Sequence, residues 1–255
     1  MERVWTTPGG EYSRLYADML QQTHLLIAGA TGAGKSTVVN GIIHAALFNA
    51  PCKVGFLLID PKGTELSDYS NLPHTIQYAQ TTPDCIAALK YGLQLTQARF
   101  TDMKRRKLRM YDGSDIYIII DELMFLLNRP ELKKQAMNLL QDILVIARAA
   151  RIHVIACTQS PTAATGLPVN LRCNFDSRLG LRTATAQDSR NIIGVKGCEK
   201  FPDPKTAGIA YGYYMRGANM DIYKLPLTAP AELTRLVNYW TGKAGQGKLK
   251  LFNRG

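Results

Sequence analysis

The sequence predicts an α/β domain built on a mostly parallel β-sheet with helices on both faces. Short apolar runs alternate with longer segments in which apolar residues recur at helical spacing. Polar residues follow directly after several of the apolar runs. Alternating strands and helices are typical of parallel sheets with helical crossovers. At 255 residues, 46% of them hydrophobic, the chain can bury one large core or two small ones.

Four short apolar runs are the predicted strands, at 24–28, 53–59, 116–120 and 152–157. The first, third and fourth of these runs lead directly into polar residues. In open α/β sheets, ligands bind at the carboxyl ends of the strands. The polar residues after these strands are therefore the first candidates for a functional site.

Helical spacing of apolar residues predicts two long helices, from Pro83 to about Met110 and from Pro130 to about Ala150. Proline is favoured in the first turn of a helix, where its missing N–H costs nothing. The first helix ends in the basic cluster KRRKLR, residues 104–109. A cluster of this kind is either a solvated helix end or a contact with DNA.

The C-terminal part of the chain changes to glycine, tyrosine and proline beyond Phe201. The stretch AGIAYGYYMRGANMDIYKL predicts a β-hairpin with its turn at Gly217 to Asn219. Residues 243–255 contain four basic residues and no acid. We therefore expect one domain, residues 1–242, followed by a basic, mobile tail, 243–255.

Charge and cysteine content restrict the classes of function. The formal net charge is +11 and the pI is about 9.5, so the protein attracts polyanions such as nucleic acid or acidic membrane surfaces. The five cysteines are scattered and form no CxxC pair, which favours free thiols in a reducing cytosol. We see no signal sequence and no apolar run of the ~18 residues that cross a bilayer.

A phosphate-binding loop is the strongest motif in the chain. Gly29, Gly34, Lys35 and Ser36 fit G-x-x-x-x-G-K-[ST] between an apolar run and a helical pattern, which is the context that a P-loop requires. The glycines let backbone N–H groups point inward, Lys35 adds a point charge for the β- and γ-phosphates, and Ser36 can ligate Mg²⁺. The predicted nucleotide-binding residues are Gly29, Ala30, Thr31, Gly32, Ala33, Gly34, Lys35, Ser36 and Thr37.

Two carboxylates end the apolar run in IYIIIDEL, residues 116–123. P-loop enzymes position an acid near the metal at the end of such a strand, so Asp121 is the predicted Mg²⁺ partner. Glu122 is the candidate general base for the attacking water. Its alternative is an ordinary acid in the first turn of a helix, where the macrodipole stabilises it.

The polar residues after a third strand are a weaker indication of function than the P-loop and the two acids. Thr158 and Gln159 follow the run that begins at Ile152, and Gln159 could hydrogen-bond the γ-phosphate or the water. The alternative is a polar loop start without a role in catalysis. The four histidines show no metal-ligand spacing, and we assign no metal beyond Mg²⁺ with nucleotide.

Taken in order, these motifs resemble the motor domain of the FtsK/HerA family of DNA pumps, which are FtsK/SpoIIIE-type P-loop ATPases. The similarity extends from about His24 to Tyr223. It rests on five stretches of this sequence: HLLIAGATGAGKST, LLIDPKGTELSDYSNLPH, YIIIDEL, ARAARIHVIACTQSP and RLGLRTATAQDSRNIIG.

The resemblance implies a RecA-like fold and a hexameric ring around double-stranded DNA, with ATP between neighbouring subunits. It implies that Arg178 is the arginine that reaches the γ-phosphate of the adjacent subunit, and that Arg190 faces the pore. For both, the alternative is a surface or intrachain salt-bridge arginine. Charge and glycine-rich context add Lys196, Lys200 and Arg216 as further DNA candidates.

We therefore expect an ATP-driven double-stranded DNA translocase in the cytoplasm. It would act in plasmid or integrative-element transfer or in chromosome segregation. Neither the membrane anchor nor the winged-helix module of chromosome-segregating members is visible, so the expectation is either an excised motor domain or a stand-alone pump from a plasmid or integrative element. Recruitment to the inner face of the membrane by a membrane-anchored partner is left open. The rivals are a protein-secretion ATPase of the type VII kind, a conjugative coupling ATPase acting on single-stranded DNA, and a ring subunit that binds ATP without hydrolysing it.

Overall fold

The computed structural model describes residues 9–159, 168–226 and 230–245. Within these ranges, eight strands form one sheet in the order β3-β2-β4-β5-β1-β6-β7-β8. The strands are β1 His24–Ala28, β2 Val54–Ile59, β3 Thr75–Ala79, β4 Asp115–Ile120, β5 Ile152–Thr158, β6 Ser177–Leu181, β7 Ile209–Arg216 and β8 Asn219–Pro226. Strands β1 to β6 pair in parallel, and the hairpin β7-β8 extends the sheet antiparallel to β6. This confirms the predicted α/β class.

Helices connect the strands and cover both faces of the sheet. They are α1 Gly9–Gln21, α2 Lys35–Asn49, α3 Thr82–Arg106, α4 Leu123–Leu127, α5 Pro130–Ile146, α6 Val169–Cys173, α7 Ala186–Ile193, α8 Pro204–Ala207 and α9 Pro230–Gly245. Short 3₁₀ turns lie at Ser67–Tyr69 and Cys198–Lys200. Helices α1, α2 and α9 contribute to the core on one face, and α3, α4 and α5 to the core on the other.

The central strands are buried on both faces. All residues of β1 and β2 are buried, as are the five isoleucine and tyrosine residues that follow Asp115 in β4. A strand covered on both faces has no polar side, so its sequence is a continuous apolar run. These runs could therefore be recognised in the sequence, and the polar residues that follow them lie at the carboxyl edge of the sheet.

The four predicted strands and the hairpin are confirmed, and the two-residue turn at 217–218 begins at Gly217 with φ of 56°. Strands β3 and β6 were not predicted. Their apolar runs are short, and β3 has partly exposed residues in the middle. The second predicted strand also leads into an acid, the buried Asp60.

Three boundaries differ from the predicted ones. Helix α3 ends at Arg106, short of Met110, because Lys107 adopts a left-handed conformation with φ of 56°. Helix α5 ends at Ile146, and the next four residues form turns. The predicted domain end at 242 falls inside α9, and the rest of the predicted tail, 246–255, lies outside the described residues.

None of the described helices is both long enough and apolar enough to cross a lipid bilayer.

Candidate nucleotide-binding site

An open cavity of about 330 Å³ lies at the carboxyl edge of the sheet. Six residues of the predicted P-loop line it, as do both candidate acids and Gln159. Four further lining residues were not among the predicted site residues. The lining is Thr31, Gly32, Gly34, Lys35, Ser36, Thr37, Asp121, Glu122 and Gln159, together with Lys62, Glu65, Pro204 and Lys205. The fold therefore brings the loop, the acids and Gln159 to one place.

The loop between β1 and α2 needs its glycines for different reasons. Gly34 has φ of 99°, a conformation that favours glycine, and a Cβ there would stand 2.7 Å from Cβ of Ala210. Gly29 has ordinary backbone angles but lies against the end of β6. A Cβ on Gly29 would stand 2.8 Å from Cβ of Leu181. The loop is thus packed tightly against β6 and β7.

Six backbone N–H groups of the loop have no acceptor among the residues that the structure describes. They belong to Thr31, Gly32, Gly34, Lys35, Ser36 and Thr37. The first turn of a helix always leaves N–H groups without an intrahelical partner, and its dipole adds positive potential. Together these groups form an anion cradle of the kind that binds phosphates.

Lys35 lies at the base of this cradle. Its Nζ donates hydrogen bonds to the carbonyl oxygens of Gly29, at 2.8 Å, and Ala30, at 3.0 Å. Burial lowers the pKa of Lys35, and the nearby carboxylates of Glu122 and Asp121 act against that effect. A phosphate in the cavity would favour the charged ammonium further.

Asp121 and Glu122 enter the cavity from the end of β4. One strand, β5, separates β4 from β1, so the two strand ends are about 10 Å apart. Burial and the neighbouring Asp60 carboxylate raise the pKa of Asp121 to about 7. Burial also raises the pKa of Glu122, against the opposing charges of Lys62 and Lys35. A divalent cation in this gap would stabilise the ionised acids.

Glu122 has a local structural contact as well as a place in the cavity. It is the N-cap of α4, and its carboxylate accepts a 3.4 Å hydrogen bond from the N–H of Met124. A second contact is an ion pair with Lys62 Nζ at 3.9 Å. Glu122 therefore both caps the start of α4 and lines the cavity.

Asp60 holds the loop that brings Lys62 and Glu65 to the cavity. Its buried carboxylate accepts hydrogen bonds from the N–H groups of Gly63, Glu65 and Leu66, at 2.9 to 3.0 Å. The sequence signal was the stretch DPKGTEL, which carried the family resemblance but was not assigned to the site. Asp60 could have been identified as a site residue because it is an acid that directly follows a buried strand, β2, and β2 is the neighbour of β4.

Gln159 contacts the P-loop directly, because its Oε1 accepts a 3.1 Å hydrogen bond from Thr31 Oγ1. Gln159 is exposed, whereas the preceding Thr158 is fully buried and its hydroxyl has no partner among the described residues. The polar end of β5 therefore lies between the phosphate-binding loop and the acids. This position is compatible with the predicted contact to phosphate or water.

Arg178 does not line the cavity of its own chain. It lies on β6, half-buried, and its guanidinium donates to the carbonyl oxygens of Ile192, at 3.4 Å, and Arg172, at 3.3 Å. Burial lowers the pKa of Arg178, with the Arg172 charge adding to the effect. No carboxylate in the described residues pairs with Arg178. Within the described part of the chain, Arg178 therefore does not form the intrachain salt bridge that was its alternative role.

Three DNA candidates lie together on the segment after β6. Arg190 is on α7, Lys196 is in the loop that follows, and Lys200 ends the 3₁₀ turn Cys198–Lys200. All three side chains are exposed, and none of them is in an ion pair with another described residue. They are the exposed basic residues of one segment, 190–200, which we call the basic surface.

Arg216 is separate from that surface. It pairs across the sheet with Ser177, the first residue of β6, and so lies at the opposite edge from the cavity. Its guanidinium contacts Asp18 at 2.7 Å and Asp221 at 3.7 Å. The structure does not bring Arg216 together with the other three candidates.

The residues present fit a magnesium nucleotide. The cradle supplies free N–H donors, Lys35 and the Ser36 hydroxyl, and the opposite side supplies the carboxylates of Asp121 and Glu122. Hydroxyl and carboxylate oxygens are ligand types that Mg²⁺ takes together with phosphates and water. Among the described residues there is no group of three or more histidine, cysteine or acidic side chains that could hold a metal alone. A cation here would therefore share its coordination with the nucleotide.

The sheet order, the loop and the strand-end acids define the class of protein as a P-loop nucleotide-binding ATPase domain with an α/β fold. A family model narrows this further, because the FtsK/SpoIIIE family matches residues 7–214. The chain belongs to the FtsK/SpoIIIE family.

Individual proteins agree with this membership. A protein named DNA translocase FtsK, from Lactiplantibacillus plantarum, is 34% identical over 209 residues, which cover 72% of this chain and 25% of that protein. This chain therefore spans about a quarter of the relative's length.

Solved structures show the same fold at low identity. The cytoplasmic domain of the type VII secretion ATPase EccC from Thermomonospora curvata has a TM-score of 0.73 and 20% identity, covering 87% of this chain and 28% of that one. The pCW3 conjugation coupling protein TcpA, with ATPγS, has a TM-score of 0.68 and 19% identity, covering 85% and 66%.

Proposed function

We propose that this chain is the motor domain of an ATP-driven double-stranded DNA translocase. The observation that carries the proposal is the meeting of an anion cradle and two buried strand-end acids in one cavity, in a chain of the FtsK/SpoIIIE family. The net charge of +11 favours a polyanionic substrate. The relative from L. plantarum that is named a DNA translocase supports DNA as that polyanion.

The proposed chemistry assigns one role to each side chain. The cradle and Lys35 would bind the β- and γ-phosphates, and Ser36 and Asp121 would hold Mg²⁺. Bound Mg²⁺ would supply positive charge where negative charge develops on the transferred phosphoryl group. Glu122 accepts a proton from the attacking water, and Gln159 orients that water or the γ-phosphate.

We propose further that Arg178 acts on the nucleotide of a neighbouring subunit in a hexameric ring. In favour of this role, its guanidinium lies outside the cavity of its own chain and has no carboxylate partner among the described residues. A cation placed next to the γ-phosphate would stabilise the transition state. Mixing Arg178→Ala subunits with Lys35→Ala subunits tests this, because mixed rings should recover turnover that neither variant has alone.

The segment that carries Arg190, Lys196 and Lys200 is attached to the P-loop at its first end, and an ion pair ties its second end to the first. The N–H of Ala30 donates to the carbonyl oxygen of Arg182 at 2.8 Å. The Arg182 guanidinium pairs with Asp203 at 3.1 Å. Residues 183–202, with Arg190, Lys196 and Lys200, lie between these attachments. A change at the phosphates can therefore be transmitted to this basic surface.

The duplex would be held through its phosphates with little base preference, so binding should weaken steeply with salt. Such a motor would work on the cytoplasmic side of the membrane, recruited by a membrane-anchored partner. It would serve plasmid or integrative-element transfer or chromosome segregation.

Two substitutions test the ATPase assignment. Lys35→Ala should abolish turnover, and Glu122→Gln should bind ATP but hydrolyse it at least about 100-fold more slowly. Lys133→Ala and Glu131→Gln, both on the exposed surface of α5, are matched controls that should leave turnover unchanged. Normal turnover in Lys35→Ala or Glu122→Gln would refute the assignment.

The rivals differ in what stimulates turnover. ATPase rates should be measured with duplex DNA of increasing length, with single-stranded DNA and with peptide, each across a salt series. Stimulation that grows with duplex length supports translocation. Stimulation by single strands alone supports a coupling ATPase, and stimulation by peptide alone a secretion motor. No hydrolysis with any of them, despite ATP binding, supports the non-catalytic subunit.

A further inference from the structure

Lys205 reaches the nucleotide cavity from a part of the chain that no motif indicated. It lies on the short helix α8 and lines the cavity beside Gly32 at the tip of the P-loop. The Cε atom of Lys205 is 3.6 Å from the point where a Cβ on Gly32 would stand. The ammonium group is therefore next to the loop whose N–H groups lack acceptors, on a different element from Lys35.

The position of Lys205 is fixed by contacts that also hold the P-loop. Asp203 caps α8, since its Oδ1 accepts a 2.9 Å hydrogen bond from the N–H of Lys205. The other carboxylate oxygen of Asp203 accepts a 3.1 Å hydrogen bond from Arg182. The carbonyl oxygen of Arg182 in turn accepts from the N–H of Ala30 in the P-loop. The backbone of α8 is thus tied to the loop at short range.

The ammonium group of Lys205 has no counter-ion within the part of the chain that is described. Asp203, the nearest acid in sequence, is already paired with Arg182. Glu122, which lines the cavity, forms its ion pair with Lys62. Lys205 is also exposed, so its side chain contributes little to the core. A lysine that lines the cavity beside an anion cradle, with no counter-ion among the described residues, fits a ligand phosphate.

We propose that Lys205 is an additional phosphate-binding residue of the nucleotide site, acting on the nucleotide of its own subunit. The Arg182–Asp203 ion pair positions it. This inference rests on the proposed function, because it presupposes that the cavity binds a nucleoside triphosphate. Lys205 would add a second cationic contact from the side of α8, opposite the acids of β4.

The test is equilibrium titration of the protein with fluorescently labelled ATP, comparing charge-removing and charge-keeping variants. Lys205→Met keeps the aliphatic stem and removes the charge, so ATP should bind about tenfold more weakly. Lys205→Arg keeps the charge, and its affinity for ATP should stay within about threefold of the affinity of the unsubstituted protein. The salt dependence of affinity should also decrease in Lys205→Met, which loss of packing alone would not cause.

The controls separate failure of this inference from failure of the proposed function. Lys133→Ala removes an exposed lysine that does not line the cavity, and it should bind ATP normally. Asp203→Asn keeps an N-cap but removes the ion pair, and should weaken binding by less than Lys205→Met does. If the unchanged protein binds ATP and Lys205→Met binds it equally well, this inference is wrong. If the unchanged protein binds no ATP, the proposed function itself fails.

Discussion

Replacing Asp60 with alanine should damage both the stability of the protein and the site. The Asp60 carboxylate is fully buried and accepts three backbone hydrogen bonds, from Gly63, Glu65 and Leu66. A hydrogen bond contributes about 1 kcal/mol net, so Asp60→Ala should lower the free energy of unfolding by about 3 kcal/mol. For a chain of this size, that corresponds to a fall in Tm of about 6–12 °C.

Chemical unfolding and calorimetry measure this effect, and ATP turnover measures its consequence. The loop held by Asp60 carries Lys62 and Glu65 to the cavity, so turnover should fall even at temperatures where the variant is folded. Asp68→Ala, an exposed acid a few residues further on, is the control and should change stability by less than about 0.5 kcal/mol. The reasoning is refuted if Asp60→Ala is as stable as that control.

Three further substitutions test the packing and electrostatics around the site. Gly34→Ala forces a side chain into a left-handed conformation 2.7 Å from Cβ of Ala210, so titration should show weaker ATP binding and stability should fall by about 1–3 kcal/mol. Gly41→Ala would place a methyl group 2.3 Å from the Tyr16 ring between α1 and α2, and thermal melting should reveal a loss of about 1–3 kcal/mol. Burial lowers the pKa of His24 from 6.5 to about 4, so the folded state takes up a proton less readily than the unfolded state. The contribution of neutral His24 to the free energy of unfolding should be fully present above pH 6.5, and about 3 kcal/mol of it should be lost as the pH falls towards 4. His24→Asn, which can still accept the backbone hydrogen bond made there, should flatten this pH dependence in unfolding titrations.

Several features of the fold could be predicted because their signals are local. The P-loop requires glycines and a lysine at fixed spacing, and β4 is an unbroken apolar run that ends in two acids. The hairpin shows its turn residues between two runs that contain tyrosine, three in β7 and one in β8. By contrast, β6 has only five residues and includes an arginine and a glycine, so its pattern alone does not mark a strand.

The sequence by itself determined the chemistry of the site: a phosphate-binding loop, a hydroxyl for a metal, and two carboxylates. Only the tertiary structure decided which other residues join them. Lys62 reaches the cavity because β2 is the neighbour of β4, and Lys205 because the chain returns across the P-loop after β6. Motif spacing is a property of one short segment, whereas strand order and crossover packing depend on contacts between distant segments.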